Sequence, residues 1–439
     1  MVTIMKRVCL IVLSILLVVI PVVGQADAGE DYEEAYKIYI AAGISVAAYN
    51  DRIGNLARHY LEEEGWEIDR YVQDAGQDGA RFLLAKKDLG NGKQTYFLAF
   101  VGTENADDVK CNLKVDKVYF AGSSLAELTA NAAKAGIAAN EPKVHQGFFE
   151  FVQSGLEAKV LDNTGTSLLL SDILLNNKDS KLYLVGHSLG GAAATITGAA
   201  LINMGINAEQ IEVITFGAPA VGNHAFAAKY EPFLQLTRIV IAGDPVTGVL
   251  QTLVGGYEQF GKEIKWHMPP TTDRPHNITE YVDLALKNYY DKRQQFRESA
   301  GQSAQNAVSQ TDIYITPLKN TLPEPLKAEF WYMQEALRDE YLRIMPGCTL
   351  ANESDNWREK ARQLGYRWVV VPELQVTQLK QARNTHYITL SQTIYEVSSG
   401  AVVQTAVFST GTYNLTPLEA FVHNLKGINS GQLVWDQHR

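Results

Sequence analysis

Two hydrophobic periods alternate along the first three hundred residues. Ala, Tyr and Ile recur every three to four positions over Tyr32–Tyr49, predicting an amphipathic helix; Asn50–Glu64 continues as a second helix ending at Gly65. Arg81–Lys86 and Thr95–Val101 are short β-like runs joined across the turn-rich Asp88–Lys93, and the second ends at Gly102-Thr103. Val144–Leu161 is helical in pattern. Lys181–Val185 is a strand that runs through a glycine-rich turn into the Ala-rich helix Ala192–Leu201. Ile211–Phe216 and Gln235–Ile241 are strands closed by Gly217-Ala218-Pro219 and Gly243-Asp244-Pro245. Lys262–Trp266 is a further short strand, and Asn277–Tyr290 a helix. Strands alternating with helices predict an α/β fold with a mostly parallel sheet covered on both faces.

Two stretches interrupt this rhythm. Glu104–Glu141 is long, polar and Ala-rich, with Leu125, Leu128 and Ala132 on one face of a predicted helix. It reads equally as a lid or as an extra surface helix. Glu298–Gln310 has no periodic apolar positions and is predicted to be a linker. Beyond it come a strand at Asp312–Leu318, helices at Pro325–Ile344 and Trp357–Leu364, and a strand at Arg367–Val371. A hairpin follows, Tyr387–Glu396 with Val402–Thr410. The expected organisation is a domain over 30–298, a linker over 299–310 and a second, smaller α/β domain over 311–439.

Apolar content of 46% supplies ample core, and a net charge of -10 argues against a nucleic-acid partner. Lys6 and Arg7 precede the apolar run Val8–Val23, with small residues at Gly24, Ala26 and Ala28. This predicts a signal peptide over 1–26, cleaved near Ala26 or Ala28, and hence a secreted or cell-envelope (periplasmic) protein. A retained anchor is the alternative, although the run is short of the ~20 residues a span needs. Cys9 would leave with the signal peptide. Cys111 and Cys348 fall in different domains, so no disulfide is expected. N-x-S/T sequons occur at Asn277, Asn352 and Asn414.

The chemistry centres on Gly186-His187-Ser188-Leu189-Gly190. A serine at the apex of a strand–turn–helix, flanked by glycines, is the nucleophile-elbow arrangement; side chains at the flanking positions would collide where strand and helix pass. A serine hydroxyl needs a base, usually a histidine oriented by a buried carboxylate, and in this fold the chain order is Ser, Asp/Glu, His. Asp244, in a turn directly after a strand, fits the acid; Asp273 is its rival, in a polar loop with no strand before it. His276, after the last candidate strand and just before a helix, fits the base, and His267 is its competitor. His145, His187 and His224 are assigned structural or surface roles, with the His187 side chain directed away from that of Ser188. Leu189, at the helix N-terminus, offers one oxyanion N–H, and Gly102-Thr103 is placed to supply the second. A serine activated by a histidine and a carboxylate calls for no metal or cofactor.

The segments GHSLGG (186–191), FGAPAVGN (216–223), VHQGF (144–148), FVGT (100–103), GDPV (243–246) and HNITEY (276–281) together resemble the class 3 (fungal-type) lipase family, in the family's order and over roughly Tyr32–Tyr290. The resemblance implies an α/β-hydrolase with a triad of Ser188, Asp244 and His276 and an oxyanion hole of Thr103 and Leu189. It also implies a lid shortly after Thr103 and a lipid or small ester substrate. The chain departs from the family at Val101 and Ala220, where arginine is common. Residues 311–439 lie outside this resemblance and are only weakly similar to small α/β domains of bacterial envelope lipoproteins. The expected function is an exported serine ester hydrolase, a lipase acting on acylglycerols or related lipid esters. The alternative is an envelope interaction protein with a hydrolase-like scaffold and a binding domain at 311–439.

Overall fold

The computed structural model describes residues 27–71, 82–88, 94–102, 115–153, 156, 159–161, 167–269, 274–300, 311–352, 356–379 and 385–428. The predicted signal peptide, most of the linker, Thr103, Cys111 and Asp273 lie outside them. The described residues divide into two units. Lys37–Leu284 form one, and those within Met1–Tyr36 and Ala285–Arg439 form the other.

In the first unit, β1 (Glu67–Tyr71), β2 (Phe82–Asp88) and β3 (Gln94–Phe100) form an antiparallel meander. Two small antiparallel pairs follow, β4 (Lys117–Tyr119) with β5 (Lys143–His145), and β6 (Lys159–Leu161) with β7 (Ser167–Leu169). The main sheet is completed by β8 (Lys181–His187), β9 (Ile211–Phe216), β10 (Gln235–Ile241) and β11 (Lys262–Trp266), in the order β1-β2-β3-β8-β9-β10-β11. Every pairing from β3 to β11 is parallel. Parallel strands need crossovers, and helices supply them: Gln146–Gln153 between β3 and β8, Leu189–Asn203 between β8 and β9, and His224–Tyr230 between β9 and β10. This is the mostly parallel α/β sheet that the alternating periods predict.

The helix Leu189–Asn203 is made almost wholly of Ala, Gly, Thr, Ile and Leu, and Leu189–Leu201 is buried without a break. A helix that is apolar all round belongs in a core, and this one packs on β3, β8, β9 and the helix Gln146–Gln153. Small residues set the distance. A Cβ at Gly190 would overlap the Phe100 carbonyl oxygen of β3, and one at Gly186 would overlap Gly190 itself. At Gly191 it would lie 2.7 Å from the Ala218 Cβ. The collision predicted from the sequence is therefore real, and it is backbone that would be struck. Gly190→Ala is expected to cost at least ~3 kcal/mol of unfolding free energy, the range of severe overpacking. A urea melt of the variant within 0.5 kcal/mol, roughly the surface-substitution range, of wild type would contradict this.

The polar excursion at 104–141 is described from 115 onwards, and that part is anchored. Phe120 and Leu128 are fully buried in the core, with Phe120 edge-on to Phe149 and Phe226. The Asn223 amide donates to the carbonyls of Ala139 and Glu141, and Lys143 Nζ to that of Ile137. The helix Leu125–Ala132 is a surface helix capped by Ser124, with Leu128 buried in the core. Residues 104–114 lie outside the described residues.

In the second unit, β12 (Ile313–Ile315), β13 (Thr349–Leu350), β14 (Trp368–Gln378), β15 (His386–Glu396) and β16 (Val402–Gly411) form a sheet in the order β13-β12-β14-β15-β16. The helices Phe330–Ile344 and Pro417–Lys426 pack against each other. The helix Ile278–Ser299 continues nine residues past the predicted end at Tyr290. Its later charges have fixed partners: Lys287 bonds Glu329 at 2.8 Å, and Arg293 bonds Glu335 and Asp339 at 2.7 Å each. The contacts place the end of the first unit at Leu284, within this continuous helix.

Candidate active site

Parallel strands deliver their C-terminal ends to one edge of a sheet, and that is where ligands meet open α/β sheets. β8 ends at His187, directly before Ser188. β10 ends three residues before Asp244. Ser188 has φ 57° and ψ -126°, a region that non-glycine residues avoid. Its N–H is tied to the Phe216 carbonyl of β9 at 2.9 Å, and its own carbonyl accepts from Gly191 and Ala192 as the helix begins. The strained turn is held from both sides, which fixes the direction of the Ser188 hydroxyl.

Three predicted residues meet there. His276 Nε2 lies 3.0 Å from Ser188 Oγ, and its Nδ1 lies 2.9 Å from Asp244 Oδ2 and 3.0 Å from Oδ1. His276, not His267, makes both contacts. The Asp244 side chain is fully buried, whereas the His276 side chain remains 30% exposed. Burial alone would raise the Asp244 pKa; bonds from His276 and Tyr281 and from the Val246 N–H outweigh it and hold the carboxyl below its usual range. The Asp244 carboxyl is therefore an anion in a dry setting. Such an arrangement can hold the proton of an imidazole on Nδ1 and leave its Nε2 facing the serine hydroxyl as an acceptor.

Tyr281 carries no assignment from the sequence, although it closes the HNITEY segment. Its hydroxyl donates to Asp244 Oδ2 at 2.7 Å and accepts from the Ile241 N–H at 3.2 Å, which ties the acid to the end of β10. Gly217 makes room for this bond. It is left-handed at φ +59°, and a Cβ there would lie 2.7 Å from Asp244 Oδ2 and 2.9 Å from the Tyr281 hydroxyl. The available signal was a glycine at a strand end that needed positive φ.

Leu189 opens its helix, so its N–H is among those with no intrahelical acceptor and sits at the positive end of the helix dipole. Thr103 lies outside the described residues, while the preceding Gly102 packs against Tyr49 and the His187 carbonyl. Val101 and Ala220 are buried apolar positions. Asn277 Oδ1 accepts from the Thr279 N–H and hydroxyl at the start of the helix after His276. Of the histidines given structural or surface roles, His224 is exposed and bonds Glu258, and His145 is buried against Phe148. His187 is buried, with its Nε2 2.9 Å from the main-chain oxygen of His276.

Residues 97–253 match the family model described as Lipase (class 3). A lipase from Caenorhabditis elegans is 40% identical over 67 residues, which is 15% of this chain and 19% of the relative. A chloroplastic/mitochondrial phospholipase A1 of Oryza sativa subsp. indica is 27% identical over 203 residues, 42% of this chain and 46% of the relative. This chain thus spans less than half the length of these curated relatives. Among solved structures, the Lip2 lipase of Yarrowia lipolytica is similar with a TM-score of 0.40 and 21% identity, covering 54% of this chain and 80% of that one.

Proposed function

Because residues 97–253 belong to the class 3 lipase family, we propose that this chain is an exported serine hydrolase of lipid esters, acting on acylglycerols or related lipids through an acyl-enzyme. One observation carries the reading. A single imidazole stands 3.0 Å from a strained serine hydroxyl and 2.9 Å from a buried carboxylate. In this mechanism Ser188 Oγ attacks the ester carbonyl carbon while His276 Nε2 takes its proton. The Leu189 N–H, with Thr103 as the second donor, stabilises the oxyanion. Collapse expels the alcohol, which receives the proton from His276. Water, deprotonated by the same nitrogen, then attacks the acyl-enzyme, releases the acid and restores Ser188.

Export rests on the N-terminal basic and apolar segment. Among the described residues, no helix is long and apolar enough to cross a membrane. Residues 311–439 are proposed as a domain separate from the chemistry.

The test is reaction of the purified full chain with a fluorophosphonate probe, followed by peptide mapping and a panel of acyl lengths and head groups with and without emulsion. Labelling at Ser188, with turnover of at least one lipid ester, is the expected result. A folded protein that neither labels nor turns over any ester would favour the interaction-protein reading instead.

A further inference from the structure

His187 precedes Ser188 and turns its ring into the protein, where the residue is 6% exposed. Its Nε2 lies 2.9 Å from the main-chain oxygen of His276. A carbonyl oxygen only accepts, so Nε2 carries a proton. Its Nδ1 lies 2.8 Å from the Tyr49 hydroxyl. In a neutral ring that nitrogen is the acceptor, so the hydroxyl donates, and one tautomer satisfies both contacts.

The main chain around His276 needs such a hold. The residue sits in a turn, closed by the Asn277 N–H on the Arg274 carbonyl at 3.0 Å, ahead of the helix Ile278–Ser299. Its ring must meet Asp244 and Ser188 at the same time, and a shift of the Cα would break one contact or the other. His187 supplies a buried bond to that main chain from the strand that also carries Ser188. The serine and the histidine are thereby referenced to one rigid element. Tyr49 is fixed in turn: its carbonyl accepts from Arg58 Nη1 at 3.0 Å, and a Cβ at Gly102 would overlap its hydroxyl.

Charge decides why a histidine suits this place. The rings of His187 and His276 are 4.7 Å apart, and that of Tyr281 is 5.8 Å from His187. When His276 takes a proton from Ser188, a second cation at that distance would oppose it. Burial, with the neighbouring His276 adding to it, pushes the His187 pKa down to about 3 against the opposing bond to the His276 carbonyl and the Asp244 charge. Lysine or arginine could make the same bond only by bringing a charge.

We propose that His187, held by Tyr49, is a positioning residue that fixes the main chain of His276 so that its ring bridges Asp244 and Ser188, and that it does so without carrying charge. The proposal rests on the reading of His276 as the base. Two readouts on the full chain keep the two ideas apart. The first is the proton on His276 Nδ1, observed by NMR with 15N-labelled histidine, which reports the bond to Asp244 whether or not any ester is hydrolysed. The second is kcat per fluorophosphonate-titrated site, which discounts misfolded molecules.

In His187→Phe the Nδ1 proton should broaden or disappear, and kcat per site should fall roughly 10- to 100-fold with little change in KM, as expected for a misplaced base. Tyr49→Phe should move both readouts the same way by less. His187→Gln, which has a donor and an acceptor at comparable spacing, should recover most of both. If His187→Phe keeps a sharp Nδ1 proton and loses less than about twofold in kcat per site, even with a lowered Tm, the role is packing alone and the proposal falls. Should His187→Phe not fold, Tyr49→Phe decides on the same signal. A wild-type protein that neither labels nor turns over overturns the hydrolase reading, while the Nδ1 comparison still judges the positioning of His276.

Discussion

Ser188→Ala is expected to lower ester hydrolysis by about 10⁴-fold or more while leaving the fold intact. The substitution removes one oxygen and no backbone constraint. The turn is held by the Ser188 N–H on Phe216 and by the bonds from Gly191 and Ala192 to its carbonyl. None of these uses the hydroxyl, whose recorded bond is the 3.0 Å contact with His276. Alanine tolerates the positive φ as poorly as serine does, so the strain is unchanged and Tm should move by no more than a few degrees. The check is initial rates on p-nitrophenyl esters and on an emulsified acylglycerol, with thermal melts alongside. A folded Ser188→Ala protein that cleaves either substrate at the wild-type rate would remove the serine from the mechanism.

The second large effect is expected from Asp244→Asn, a loss of about 10³- to 10⁴-fold in kcat, the order seen when a triad acid becomes an amide. Three donors converge on this side chain: His276 Nδ1, the Tyr281 hydroxyl and the Val246 N–H. A carboxylate accepts from all of them. An amide offers one oxygen and a donor of its own, so at least one neighbour meets a hydrogen where it needs a lone pair. If that neighbour is His276, the imidazole adopts the other tautomer and Nε2 can no longer accept from Ser188.

The same change should alter acid stability. Because the Asp244 pKa is depressed in the folded chain, its contribution is complete above the ordinary carboxylate value of about 4 and is lost as pH falls through the folded value. Asp244→Asn should therefore flatten the low-pH end of a urea-unfolding series. Equal steepness in both proteins below pH ~4, the ordinary carboxylate range, would show that other groups govern it.

The sequence revealed those parts of the site that stand at strand ends. Ser188 and Asp244 each follow an apolar strand and precede a turn or helix, and His276 stands just before a helix; such local patterns survive folding. Tyr49 and Tyr281 were silent because their value lies in distance: Tyr49 is 138 residues from His187, and Tyr281 is 37 from Asp244. β1 was missed because Glu67-Ile68-Asp69-Arg70-Tyr71 shows little apolar alternation, and pairing with β2 alone makes it a strand. The far half of Ile278–Ser299 was missed because ion pairs rather than an apolar stripe fix it. The helix Pro417–Lys426 could have been found: Thr416 and Glu419 form a capping box, with Pro417 at the first helical position.

The unbroken burial of Leu189–Leu201 sets a condition on biosynthesis. Once translated, this helix has no polar side to show to water, yet part of its covering arrives later: β9 begins at Ile211, and Leu234, which lies against Gly198, follows later still. Chains halted between about 203 and 234 would expose an apolar rod beside the unpaired edge of β8, or of β9 once it is made, the kind of surface that aggregates. The long-range β3–β8 pairing also slows folding, which would suit the proposed export of an unfolded chain. Low yields from truncations ending in that interval would therefore report a nascent-chain hazard rather than a defect in the catalytic residues.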